Sequence, residues 1–158
     1  MRIDEFPTHE LNGIHYRIGH PLPFGTTIIS EGVINFSVNS ASAKSCSLVL
    51  YRLGEKDPYA VIPFPEHFHL GDNYSMMVFG LDPEDTEYGY RFDGEYVPER
   101  GLFFDKNRTL LDPYSFLISG NDKWGIKSYP DSEYKLRSRI LIPDYEWEGD
   151  TQLEIPIE

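Results

Sequence analysis

At 158 residues the chain has room for one ordinary domain and a tail. Its formal net charge of −12 sets it against nucleic-acid phosphates and anionic membrane headgroups, leaving neutral polymers such as polysaccharide among the admissible partners. An aromatic content of 15%, scattered Pro (12) and Gly (13), and little helical periodicity favour an all-β class.

The opening residues are polar, carry His9, His15 and His20, and read as an extended lead-in over 1–18 without a core of its own. A loop follows at Pro21-Leu22-Pro23-Phe24-Gly25. From Val33 to Asn39 the text alternates, with Ile34, Phe36 and Val38 on one side and Val33, Asn35, Ser37 and Asn39 on the other, the pattern of a half-buried strand. Residues 45–53 repeat it, with Cys46, Leu48 and Leu50 facing one way. Cys46 reads as a small core residue, and as the one cysteine it excludes an intrachain disulfide. A turn over 54–58 leads to strands at 59–64 and 74–79, and Pro63 and Pro65 mark a sheet edge at the first of these, or its end.

Leu81 to Glu87 is an acidic turn. A hairpin is predicted over 88–97, reversing at Asp93-Gly94, and Thr109 to Leu111 is the last strand candidate. Six or seven short strands with turns between them predict an immunoglobulin-like antiparallel β-sandwich over 19–118. Beyond Ser119 the periodicity is lost, and residues 119–158 read as an irregular C-terminal extension, either an arm laid across something larger, the reading preferred for its Trp and Tyr, or a partly disordered tail. No basic segment running into an apolar stretch opens the chain, and no stretch reaches membrane-spanning length, so a cytoplasmic protein is expected. The Asn-X-Ser/Thr triplets at Asn35, Asn73 and Asn107 are then chance matches.

Little in the chain has the form of catalytic chemistry. His67 and His69 could share a strand face as zinc ligands do, but no third ligand is spaced to join them, and no metal is expected. Asp82, Glu84, Asp85 and Glu87 crowd onto a turn rather than flanking a cleft as a glycosidase pair would. Neither a nucleophile elbow nor a phosphate loop nor a dinucleotide fingerprint is present, so no cofactor is expected. Sugar binding by a sandwich needs flat aromatic faces for the pyranose C–H surface. Tyr96, Trp124 and Trp147 are the candidates.

Several segments, in order, carry a resemblance. Pro21-Leu22-Pro23-Phe24-Gly25-Thr26, then Gly32-Val33-Ile34-Asn35-Phe36-Ser37, Tyr88-Gly89-Tyr90-Arg91-Phe92-Asp93-Gly94, Pro98-Glu99-Arg100-Gly101 and Leu110-Leu111-Asp112-Pro113-Tyr114 resemble the N-terminal module of isoamylases, pullulanases and bacterial glycogen debranching enzymes, carbohydrate-binding module family 48. Tyr145-Glu146-Trp147-Glu148-Gly149-Asp150 is similar to the segment those enzymes carry before their catalytic barrel, so the likeness covers about residues 19–150. It implies a parent that hydrolyses α-1,6 branch linkages of glycogen or starch. This chain would be its non-catalytic N-terminal region, ending where the first barrel strand is expected, with the barrel as partner. Glycogen-binding members of the wider group use two tryptophans and a lysine. Tyr96 stands at one tryptophan position, the loop Leu53 to Asp57 has no aromatic residue for the other, and Gly89 stands where the lysine would be. The resemblance thus leans towards a domain that packs on the barrel, with glucan binding by the module itself as the alternative.

Overall fold

The computed structural model describes residues 6–120, 136–146 and 148–149. Thirteen antiparallel strands are present among them: β1 (His9–Leu11), β2 (Ile14–Ile18), β3 (Gly25–Ser30), β4 (Val33–Asn39), β5 (Ala43–Arg52), β6 (Ala60–Pro63), β7 (His69–Leu70), β8 (Asn73–Phe79), β9 (Thr86–Gly94), β10 (Tyr96–Val97), β11 (Leu102–Phe103), β12 (Leu117–Ser119) and β13 (Arg137–Arg139). They build one sheet in the order β1-β2-β8-β4-β3, with β7 also on β8, and a second in the order β12-β13-β9-β5-β6. A separate ribbon joins β10 to β11.

The expected all-β sandwich is therefore present, and strand alternation explains its interior. Ile34, Phe36, Val38, Tyr74, Met76 and Val78 point inward from the first sheet; Cys46, Leu48, Leu50, Tyr88, Tyr90 and Phe92 meet them from the second. The rings of Phe36 and Tyr88 pack edge to face across the layer at 5.2 Å. Cys46 is in this core, where burial pushes its thiol pKa up, away from the reactive thiolate. Strand β6 ends the second sheet, in keeping with Pro63 at its last position.

Five local expectations are corrected. The lead-in is not merely extended: residues 9–18 form a hairpin whose second strand pairs with β8, and Tyr16 enters the core. Leu11 pairs with Ile14 across Asn12-Gly13, both at positive φ (51° and 80°), which is the turn that matches strand twist. That Asn-Gly signal was legible in the sequence.

Strand β4 is buried on both faces rather than one. Residues 19–21 cross its outer face. Asn35 accepts from the His20 N–H at 2.8 Å and donates back to the His20 carbonyl at 3.0 Å, and the Ser37 hydroxyl donates to the Pro21 carbonyl at 2.7 Å. Period-2 reading sees polar residues and infers solvent, whereas these side chains satisfy the backbone of a crossing segment. Asn35 is thus enclosed, which takes it out of reach of glycosylation in the folded chain. Removing the Ser37 hydroxyl (Ser37→Ala) should cost about 1 kcal/mol in urea unfolding, the net worth of one hydrogen bond.

The reversal expected at Asp93-Gly94 does not occur there. Strand β9 stays paired with β5 through Gly94 opposite Ala43, and the chain turns instead at Pro98–Arg100, closed by Gly101 at φ 72°. Gly94 serves a different need: a Cβ there would lie 2.6 Å from the Phe104 ring. Thr109 to Leu111 is not a strand but a single bridge, Tyr90 and Leu110 exchanging two backbone hydrogen bonds at 2.9 and 2.8 Å. Within the extension, β13 inserts between β9 and β12 and sends Ile140 into the core. Ser138 hides among charged neighbours there, so no period announces it.

Candidate functional site

The β10–β11 ribbon sets Tyr96 directly opposite Phe103. Both rings are exposed, at 68% and 64%, and pack edge to face with centroids 6.0 Å apart. Phe103 escaped sequence reading; its signal was its place after Gly101, where a two-strand ribbon returns opposite Tyr96. Beside this aromatic shelf lies a cleft of about 500 Å³, lined by Ser42, Phe92, Phe103, Phe104, Asp105 and Arg108 among others. Lys44 and Arg100 flank Glu95 at 3.5 and 4.0 Å on the ribbon's exposed side. Such solvated pairs contribute little stability. The shelf offers what a pyranose face needs: apolar area, with polar groups at its margin. Trp124 and Trp147, the other two candidates, lie outside the described residues.

The histidine pair does not assemble on a strand face. His67 sits on a 3-10 turn at Glu66–Phe68 and His69 begins β7; the His67 ring faces Phe68 and His9. Among the described residues no group of three or more His, Cys, Asp or Glu side chains could hold a metal ion.

Three of the four acidic residues of the turn have structural partners. Asp82 accepts from the Glu84 N–H at 2.9 Å, and Asp85 pairs with Arg52 at 3.0 Å. Glu87 departs from the solvated turn expected of it: it is buried and accepts from the Ser119 hydroxyl.

Among the described residues the most enclosed carboxylate is Asp112. It accepts from the Tyr88 hydroxyl at 2.8 Å and the Tyr114 N–H at 2.9 Å, while its own N–H donates to Ser138 Oγ at 2.9 Å. Burial holds its pKa above the ordinary value, against the opposing donation from Tyr114 and Tyr88. This is a clasp that ties segment 110–114 to β9 and β13. It has no open face on which to act as a catalytic acid.

Residues 23–115, more than half of the chain, match the family described as carbohydrate-binding module 48 (isoamylase N-terminal domain). The chain belongs to that family. The module is 36% identical over 146 residues to isoamylase 1, chloroplastic, of Arabidopsis thaliana, covering 87% of this chain and 18% of that protein. It is 32% identical over 149 residues to the glycogen debranching enzyme of Erwinia tasmaniensis, covering 89% and 22%. The module thus spans about a fifth of the length of these relatives. In fold it is similar to pullulanase from Bacillus acidopullulyticus, with a TM-score of 0.54 at 18% identity over 76% of this chain and 12% of that one. The catalytic module of the pneumococcal virulence factor SpuA is comparable, with a TM-score of 0.54 at 16% identity over 80% and 17%.

Seen as a member of that family, the module has two contact positions closed or bare. A Cβ at Gly89 would lie 2.6 Å from Thr109 Cγ2 and 2.7 Å from the Leu110 carbonyl oxygen. Thr109 is itself held over β9 by Arg91 Nε at 3.0 Å and by the Tyr51 hydroxyl at 3.1 Å. No side chain fits at position 89, so the lysine implied by resemblance has no room. In the 53–57 loop only Leu53 offers a large apolar surface, 47% exposed. The nearby Tyr59 carries the Arg52 guanidinium over its ring at 4.6 Å. Of the three implied contacts only Tyr96 is present and open.

Proposed function

We propose that this chain is the non-catalytic N-terminal region of a debranching hydrolase of isoamylase or glycogen-debranching type. The parent cleaves α-1,6 branch linkages of glycogen or starch, and this region packs on its catalytic barrel and shapes the substrate cleft. The observation that carries the reading is the 36% identity to an isoamylase over 146 residues, well beyond the sandwich itself. The closed position at Gly89 and the bare 53–57 loop favour packing over sugar capture. On this reading the folded module expected over 19–118 also takes in the 9–18 hairpin and β13, which pair into its sheets, and the chain beyond them leads to the barrel. A cytoplasmic location belongs to the same reading, although plant relatives are named as chloroplastic.

Titration with maltoheptaose, followed by calorimetry and tyrosine fluorescence, tests it. The expected outcome is no saturable binding, and no reducing ends released from glycogen by this chain alone. The exposed Tyr96–Phe103 shelf favours a second reading, an independent α-glucan-binding module contacting sugar through Tyr96, Trp124 and Trp147. Saturable binding that disappears in Tyr96→Ala would establish that reading in place of the first.

A further inference from the structure

We infer that the apolar edge made by Leu22, Tyr114, Phe116, Leu117 and Ile118 is the face on which the catalytic domain of the parent docks. The inference rests on the proposed function and specifies which surface serves it.

Two free sheet edges converge there. Among the described residues β3 ends the first sheet and β12 ends the second. The segments entering them are joined by the Phe24 and Tyr114 rings, stacked at 4.7 Å. Leu22 is 62% exposed, Phe116 86% and Ile118 46%, with Tyr114 and Leu117 more than a third open. The Ser115 hydroxyl donates to the Leu117 carbonyl at 2.8 Å and approaches that of Arg139 at 3.5 Å. The backbone carrying Phe116 is therefore held in place rather than collapsed onto the sandwich.

Charge separates this edge from the rest of the molecule. In a chain of net charge −12, residues 109–120 contain a single acidic or basic residue, Asp112, and it is buried against Tyr88. Solitary domains protect sheet edges with charges, prolines or bulges. The opposite ends of both sheets are protected in this way: β6 closes on Pro63 with Pro65 just beyond, and β1 carries Glu10. Strand β12, Leu117–Ser119, has no such residue and follows the most exposed aromatic of the sandwich. An uncharged, apolar edge of fixed shape suits a large and permanent partner more than a soluble oligosaccharide. The relatives are about five times longer than this chain, and the catalytic domain of the same polypeptide is the partner always at hand.

Two measurements test the assignment. Hydrogen exchange over 114–119 is compared in this chain alone and in the full parent polypeptide, and thermal unfolding is compared for Phe116→Asp/Ile118→Asp in both. Exchange should slow at least roughly tenfold in the parent. The double substitution should leave the isolated chain's unfolding nearly unchanged, as exposed substitutions do, while the parent's transition falls or splits. Equal exchange in both settings, or a parent indifferent to the substitution, overturns the docking face and leaves the proposed function standing. Self-association of the isolated chain, lost in the double variant with the parent unaffected, assigns the edge to a second copy and overturns it too. A reading frame that encodes no catalytic domain overturns the proposed function itself, and the assignment with it.

Discussion

Replacing Gly89 by lysine should destabilise the sandwich by about 3 kcal/mol and should not create a glucan site. The added Cβ would meet Thr109 Cγ2 at 2.6 Å and the Leu110 carbonyl at 2.7 Å, and one of these is backbone that cannot swing aside. Relief requires residues 109–110 to lift from β9, which sacrifices both Tyr90–Leu110 hydrogen bonds and the Thr109 contacts with Arg91 and Tyr51. Gly89→Ala should cost nearly as much, because the collision begins at Cβ and not at the ammonium. Urea unfolding of the two variants measures this. If both unfold as the parent sequence does, or if the lysine variant gains maltoheptaose affinity, segment 109–110 does not cover this face as described.

Asp112→Ala should be of similar weight, about 2–4 kcal/mol, because it strands the Tyr88 hydroxyl and the Tyr114 N–H, and a buried orphaned donor costs about 1–3 kcal/mol. Asp112→Asn keeps an acceptor and should cost much less, and it isolates the carboxyl's pH response. A carboxyl whose pKa is raised on folding binds its proton more tightly in the folded chain. It therefore favours folding most strongly at low pH. Its contribution is lost as pH climbs from the ordinary 3.8 through the folded value, and is level above that. The stability of the natural sequence relative to Asp112→Asn should follow that course in chemical unfolding measured across pH. A difference that instead grows with rising pH would mean the carboxylate form is the one the fold prefers.

Strand by strand, legibility followed alternation. The strands read at 33–39, 45–53 and 74–79 were found because the residues they send into the core are apolar and alternate with period two. Asp93-Gly94 misled because the dipeptide fits a tight turn equally well as it fits a strand end pressed by Phe104. β13 was hidden because three residues, Arg-Ser-Arg, are held by position between two neighbours rather than by hydrophobicity. Tyr96 could be named as a candidate from its residue type and its place just after Asp93-Gly94, although the turn expected there is absent. Its partner Phe103 and the neighbouring cleft could not, since both depend on where the reversal falls.

Composition and alternation were enough to place this chain among all-β sandwiches, because strand faces are written in which residue types recur and how far apart, and the resemblance carried by its ordered motifs named the family. Which faces stay open was decided only in three dimensions. Residues 19–21 cross β4 and residues 109–112 clasp β9 through hydrogen bonds between groups distant in sequence, and such bonds leave no period behind. The physical reason is that a polar side chain facing water and one satisfying a crossing backbone look the same in one dimension.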